Sequence, residues 1–136
     1  MSTLLRALRG PLTTGRLEPV IRAIPAALYM AAIFLASSVP GNEITIAFDD
    51  RVAHFLEYFV LGALLLFFVS SFRWGSSRIA GAAILVFVSL HAVADELHQS
   101  LVPHRDSSLK DWVFDMLGAT TAVLVLRSLA RWRENG

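Results

Sequence analysis

Residues 51–72 read RVAHFLEYFVLGALLLFFVSSF. At 1.5 Å per residue, a helix over this run is long enough to cross a hydrocarbon core of about 30 Å. Three further apolar stretches of similar length are present, at about 20–38, 79–99 and 110–132. The sequence therefore predicts an all-α integral membrane protein, a transmembrane bundle with one helix in each of the four stretches.

The composition of the whole chain also favours a membrane environment. Of the 136 residues, 55% are hydrophobic and 17% are charged, and the mean hydropathy is +0.58. A typical soluble domain carries about 25% charged residues. The chain has no cysteine, which excludes disulfides, thiol nucleophiles and cysteine metal ligands. It also lacks a glycine-rich phosphate loop and a glycine-flanked serine elbow, so nucleotide binding and serine catalysis are not indicated.

The domain organisation is predicted to be simple. Residues 1–19 read as a basic cytoplasmic leader, and residues 20–133 read as a single four-span domain. Pro40 follows the first stretch and cannot extend a helix comfortably. Asp49 or Asp50 precedes the second stretch, where a carboxylate can accept the first free backbone amides of the helix.

The distribution of basic residues predicts the orientation in the membrane. Nine of the twelve Lys and Arg residues lie in the leader together with Arg22, in the turn between the second and third stretches, or in the tail from Arg127 onward. Because Lys and Arg accumulate on the cytoplasmic side, both termini are predicted to be cytoplasmic. Basic residues dispersed along one membrane face form no single patch, so a nucleic-acid partner is not expected.

Acidic residues show the opposite distribution, with nine of eleven in the outer loops or the outer halves of the helices. At 100° per residue, His54, Glu57 and Tyr58 share one arc of the second helix. The corresponding arcs hold His91, Asp95, His98 and Gln99, with Glu96 beside them, on the third helix, and Asp111, Asp115, Gly118 and Ala122 on the fourth. An ionisable group facing lipid costs several kcal/mol, so these arcs are predicted to face one another in a polar cleft at the extracytoplasmic end.

Two segments, DDRVAHFLEYFVLGALL (49–65) and DELHQSLVPHRDSSLKDWVFDMLGA (95–119), resemble the VanZ-like membrane protein family. The positions that match the family pattern are Ser37, Ser38, Pro40, Asp50, His54, Glu57, Tyr58, Gly62, Asp95, Glu96, Gln99, Pro103, Arg105, Asp111, Asp115 and Gly118. Arg51 stands where the family usually has Lys, and His104 replaces a common Gly. The resemblance implies a multi-pass protein of the bacterial inner membrane, in a family whose named member is linked to teicoplanin resistance.

Three functions are compatible with a polar cleft at this position. In the first, the cleft binds a lipid-linked cell-wall precursor, another envelope component or a glycopeptide. The ligand-binding residues are then expected to be His54, Glu57, Tyr58, Asp95, Glu96, His98, Gln99, Arg105, Asp111 and Asp115. In the second, the protein is a membrane-embedded hydrolase or transferase with His54, Glu57, Asp95 and Arg105 as catalytic candidates. In the third, suggested by the deeper position of His91, it is a proton- or ion-coupled transporter. Whether it is an enzyme and whether it forms oligomers stay open.

The same residues leave the question of a metal open. A divalent cation is one interpretation, with His54, Glu57, Asp95, His98, Asp111 and Asp115 as candidate ligands. A buried hydrogen-bonded network without metal is the other.

Two side chains have alternative expected partners. Arg105 is expected either to clamp a phosphate or carboxylate, or to form a salt bridge with Asp95, Glu96 or Asp111. Tyr58 is expected to hydrogen-bond to Glu57 rather than to a substrate.

Overall fold

A computed structural model of the protein describes residues 17–43 and 49–135. Its helices are α1 (Glu18–Ser37), α2 (Asp50–Val69), α3 (Arg78–Gln99) and α4 (Leu109–Asn135), with a short 3-10 turn at Gly41–Glu43. No strand occurs in the described ranges. All four long helices are long and apolar enough to cross a membrane. The predicted all-helical four-span fold is confirmed, and the observed helix ends differ from the predicted ones by at most three residues.

The helices pack around α2, which contacts the other three. The α2–α4 pair is the most extensive, while α1 packs on α2 and α3 and does not contact α4. Two glycines set the close approach of α2 and α4: the Cα of Gly118 faces the backbone of Phe55, and that of Gly62 faces Ala119. Small residues are the usual means of bringing membrane helices together, because packing replaces the hydrophobic drive that is absent in lipid.

The outer surface of the bundle is apolar. Large side chains such as Leu28, Leu35, Val86, Leu90 and Leu124 are exposed on it. In water such a surface would promote association, but in a bilayer it is the surface that contacts acyl chains. The protein is therefore a multi-pass membrane protein.

The two ends of the bundle differ in chemistry. At the end that we call the polar end, α1 and α3 finish and α2 and α4 begin. The N-termini of α2 and α4 are both capped there. Asp49 Oδ1 accepts a hydrogen bond from the Arg51 amide at 2.9 Å, and Ser108 Oγ accepts one from the Lys110 amide at 3.1 Å.

The opposite end, which we call the basic end, is held by two arginines. Arg22 is buried, donates to Ser70 Oγ at 2.6 Å and forms an ion pair with Glu18 at 2.6 Å. Arg127 donates to the carbonyl oxygens of Ser77 at 2.9 Å and Gly75 at 3.2 Å. These contacts tie α1 to α2 and α4 to the α2–α3 turn, although the buried Nε of Arg127 has no hydrogen-bond partner among the described residues.

Candidate functional site

The polar end buries an unusual number of polar side chains for a protein of this size. Its buried polar residues, all contributed by the helices, are Ser37, His54, Asp95, Glu96, Gln99, Asp111 and Asp115. Six of these seven belong to the residues that the sequence predicted to bind a ligand, and Ser37 is the addition. Buried groups of this kind persist only when they find partners, so their hydrogen bonds define the site.

His54 on α2 is held by a carboxyl group from α4. Its Nδ1 lies 2.9 Å from Asp115 Oδ1, and its Nε2 lies 3.9 Å from Asp50 Oδ2 one turn earlier on the same helix. Asp115 is 1% exposed, so this contact sits in the interior of the bundle. The imidazole is therefore fixed in orientation by a buried acid.

Asp95 and His98 on α3 both bind serines at the end of α1. Asp95 accepts from Ser37 Oγ at 2.6 Å and from Gln99 Nε2 at 2.8 Å. His98 Nε2 lies 2.9 Å from Ser38 Oγ, and the imidazole stacks on the Phe34 ring. The two residues thus join α3 to α1, while His54 and Asp115 join α2 to α4.

Glu96 connects the end of α3 to the start of α4. Its Oε2 accepts a hydrogen bond from the Ser108 amide at 2.7 Å. Its Oε1 is buried and has no hydrogen-bond partner in the part of the chain that the structure describes. Glu96 is thus only half satisfied within the protein.

Arg105 does not form the salt bridge with Asp95, Glu96 or Asp111 that was one of the two alternatives predicted for it. Its Nη2 donates to the Ala36 carbonyl at 2.9 Å and its Nε to the Val39 carbonyl at 3.3 Å. The Ala36 carbonyl lies in the last turn of α1, where it also accepts a hydrogen bond from the Val39 amide at 3.2 Å, and Val39 follows two residues after the helix. Carbonyls at the C-terminal end of a helix attract a cation, because they carry the negative end of the helix dipole. The expected salt bridge to Asp95, Glu96 or Asp111 is therefore replaced by a cap on α1.

The loop that carries Arg105 is fastened to the α1–α2 connection. The Gly41 amide donates to the Pro103 carbonyl at 3.1 Å, and a side chain at position 41 would collide with the His104 carbonyl. His104 itself has a φ of 59°, in the left-handed region that glycine adopts most readily.

Tyr58 is fully buried and binds His91 rather than Glu57. Its hydroxyl lies 3.1 Å from His91 Nδ1 on α3. Consecutive residues of a helix point about 100° apart, so the phenol of Tyr58 faces α3 while Glu57 lines the cleft between α1 and α2. This contact also gives His91 a partner inside the bundle.

An open cleft of about 470 Å³ lies between α1 and α2 at the polar end. Its polar lining consists of Tyr29, Ser37, Asp50, His54, Glu57, Gln99 and Arg105. Its apolar lining consists of Ala36, Val39, Ala53, Leu56 and Val60. The cleft therefore combines a polar wall with an aliphatic one.

The sequence assigned no site role to α1, although Tyr29, Ser37 and the Ala36 carbonyl of that helix take part. The helix carries no acidic or histidine residue near its polar end, so the pattern used for the other three helices gave no signal there. The S-S-x-P motif at 37–40 was the available signal, since serines before a helix-ending proline are suited to bonding with groups outside their own helix.

One of three comparisons of the chain with known proteins identifies a family. Neither curated proteins nor solved structures gave a match. A family model described as VanZ/LLP1 matches residues 22–131, which contain the polar end and most of all four helices. The chain therefore belongs to the VanZ/LLP1 family.

Proposed function

We propose that the protein resides in the bacterial inner membrane and binds a lipid-linked component of the cell envelope in the α1–α2 cleft, with the polar end on the extracytoplasmic side. By sequestering or modifying this component, the protein affects susceptibility to glycopeptides such as teicoplanin. Family membership and the charge distribution along the chain support the location. The composition of the cleft supports the ligand class.

The mixed lining of the cleft is the observation that carries the proposal. Glu57, His54 and Arg105 offer charged or hydrogen-bonding groups, while Leu56 and Val60 offer aliphatic surface. A ligand that satisfies both walls has a polar headgroup and an apolar chain. The volume of about 470 Å³ is within the range of roughly 300–1,000 Å³ that is usual for small-molecule sites.

Arg105 is the residue best suited to meet an anionic headgroup. A guanidinium has five N–H donors, and two of its nitrogens are used by the carbonyls of Ala36 and Val39. The remaining donors belong to a side chain that lines the cleft. Arginine is the preferred partner of phosphate because its fork of donors matches two phosphate oxygens.

A binding measurement with a polyprenyl phosphate tests this proposal. The purified protein in lipid nanodiscs is titrated with a photoreactive polyprenyl phosphate, and crosslinking is quantified and mapped. Loss of a charge-assisted hydrogen bond costs about 1.5–3 kcal/mol. Arg105→Ala is therefore expected to weaken binding roughly 10- to 100-fold, since each 1.4 kcal/mol corresponds to a factor of ten.

Lys110→Ala is the matched control, because Lys110 is an exposed cation at the same end that does not line the cleft. Equal binding by both variants, or crosslinks that map away from α1 and α2, would contradict the proposal. In cells, teicoplanin tolerance should fall with Arg105→Ala combined with Glu57→Gln and persist with Lys110→Ala combined with Glu43→Gln.

Chemical modification of the bound component is the second candidate function. The observation that favours it is His54, which lines the cleft and is oriented by the buried Asp115 at 2.9 Å. An imidazole held in this way is suited to act as a general base or acid. Turnover of the polyprenyl phosphate that disappears with His54→Ala, while crosslinking persists, would establish this function. The transport alternative gains no comparable support, since His91 is bonded to Tyr58 within the bundle.

A further inference from the structure

A second group of side chains lies behind the cleft, where α2, α3 and α4 meet. His54, Glu96 and Asp115 each offer one ligand atom, and these three atoms all lie within 4.8 Å of one another. The residues are 4%, 7% and 1% exposed. Three separate helices thus bring an imidazole and two carboxyl groups to one buried point.

Glu96 supplies an independent sign that this point receives a ligand. Its Oε1 is buried without a hydrogen-bond partner among the described residues, although its Oε2 is satisfied by the Ser108 amide. Leaving a buried acceptor unpaired destabilises a fold, and a charged acceptor does so more than a neutral one. A bound cation would supply the missing partner.

The surrounding charges favour a cation over other ligands. Two further carboxyl groups, those of Asp50 and Asp111, each offer a ligand atom within 4.8 Å of one on His54. Asp50 is exposed, whereas Asp111, like Glu96 and Asp115, is buried. Among residues 17–43 and 49–135, no arginine or lysine forms an ion pair with a carboxylate at the polar end. Several carboxyl groups around one imidazole therefore have no arginine or lysine as counter-charge in the described part of the chain.

A neighbouring set of ligand atoms connects this buried group to the surface. Asp50, His54 and Asp111 present ligand atoms within 4.8 Å of one another, and Asp50 is exposed. His54 therefore lies between the exposed carboxyl group of Asp50, on its Nε2 side, and the buried Asp115, on its Nδ1 side.

We propose that His54, Glu96 and Asp115 form a binding site for a divalent cation, with Asp50 and Asp111 as its outer ligands. A set of one imidazole and several carboxylates suits Mn²⁺ or Zn²⁺, whereas Mg²⁺ and Ca²⁺ favour all-oxygen sites. Because His54 also lines the cleft, the ion would place positive charge beside it. The cation site does not depend on the proposed function, since ion binding and lipid binding are measured separately.

Metal titration of the purified protein tests the site. The full chain in detergent is treated with chelator, then titrated with MnCl₂, ZnCl₂ or MgCl₂, and bound metal and melting temperature are recorded. We expect saturable binding of Mn²⁺ or Zn²⁺ that is tighter than that of Mg²⁺. The melting temperature should rise with the concentration of the bound ion, because only the folded state assembles the ligands.

Variants locate the site. Glu96→Gln is expected to weaken ion binding at least about tenfold, the lower end of the effect of changing groups around a metal. Glu43→Gln, which removes an exposed carboxylate of the same end, should bind as the wild type does. If Glu96→Gln does not fold, Asp111→Asn takes its place, with a smaller loss of affinity. Folded wild type without saturable binding of either ion, or equal affinities in the Glu96→Gln and Glu43→Gln variants, would overturn the proposal.

Discussion

At the scale of single residues, the polar end relies on neutral donors to hold its acids. Asp95 is buried, and its two oxygens are bound by Ser37 and Gln99 rather than by a cation. Neutral donors satisfy a carboxyl group without adding a second charge that would itself have to be removed from water. The Ser37–Asp95 bond also ties α1, which has few neighbours, to α3.

This arrangement predicts different effects for two adjacent serines. Ser37→Ala leaves Asp95 with an unpaired buried oxygen and should lower the free energy of unfolding by about 1–2 kcal/mol. Ser38→Ala should cost less than about 0.5 kcal/mol, because Ser38 is exposed and water can replace it. Unfolding by denaturing detergent in mixed micelles, followed by circular dichroism, measures both. Equal stabilities of the two variants would show that Ser37 contributes nothing beyond a surface hydroxyl.

The sequence predicted which side chains turn inward but not which of them pair. Helical periodicity gives the direction of a side chain, and His54, Asp95 and Asp115 are indeed buried. The partner depends on the rotation and neighbour order of the helices, which periodicity within one helix does not contain. This is why Tyr58 binds His91 instead of Glu57, and why Arg105 binds carbonyls of α1.

At the scale of helices, the site depends on how closely α4 approaches α2. The Cα of Gly118 lies against the backbone of Phe55 and Phe59, so a methyl group there would meet the Phe55 carbonyl oxygen and the Phe59 nitrogen. Backbone atoms cannot move aside as the end of a side chain can. One turn earlier than Gly118 on α4 is Asp115, the partner of His54, so the helix contact and the site share one geometry.

Alanine substitutions at two buried helical glycines test this dependence. Gly118→Ala should destabilise the protein by about 2 kcal/mol or more, as expected for overpacking against backbone. Gly81→Ala meets only the end of the Arg127 side chain, so any weakening of the Arg127 bonds to Ser77 and Gly75 is partly offset by a gain in helix propensity of about 1 kcal/mol, and the net loss should be smaller than at Gly118. Thermal unfolding in detergent compares the two. A loss at Gly81 as large as that at Gly118 would mean that the α2–α4 approach is not specially constrained.

At the scale of the whole molecule, the two ends of the bundle separate charge. Buried carboxyl groups gather at the polar end, whereas Arg22 and Arg127 form hydrogen bonds within the fold at the basic end. The four helices themselves were predictable, because only a helix satisfies its backbone within an apolar run of this length. The order in which the helices pack around α2 was not predictable, because it depends on glycine contacts between helices far apart in sequence.

The separation of charge predicts how the protein lies in the membrane. Basic residues accumulate on the cytoplasmic side, so the α2–α3 turn should be cytoplasmic and the α3–α4 loop extracytoplasmic. The natural chain has no cysteine, and Ser76 and Ser107 are exposed in these two connections. In intact cells, a membrane-impermeant maleimide should label Ser107→Cys, and it should label Ser76→Cys only after the cytoplasmic membrane is permeabilised. The reverse pattern would place the cleft on the cytoplasmic side, out of reach of extracellular glycopeptides. It would then remove the basis for linking the cleft to glycopeptide susceptibility.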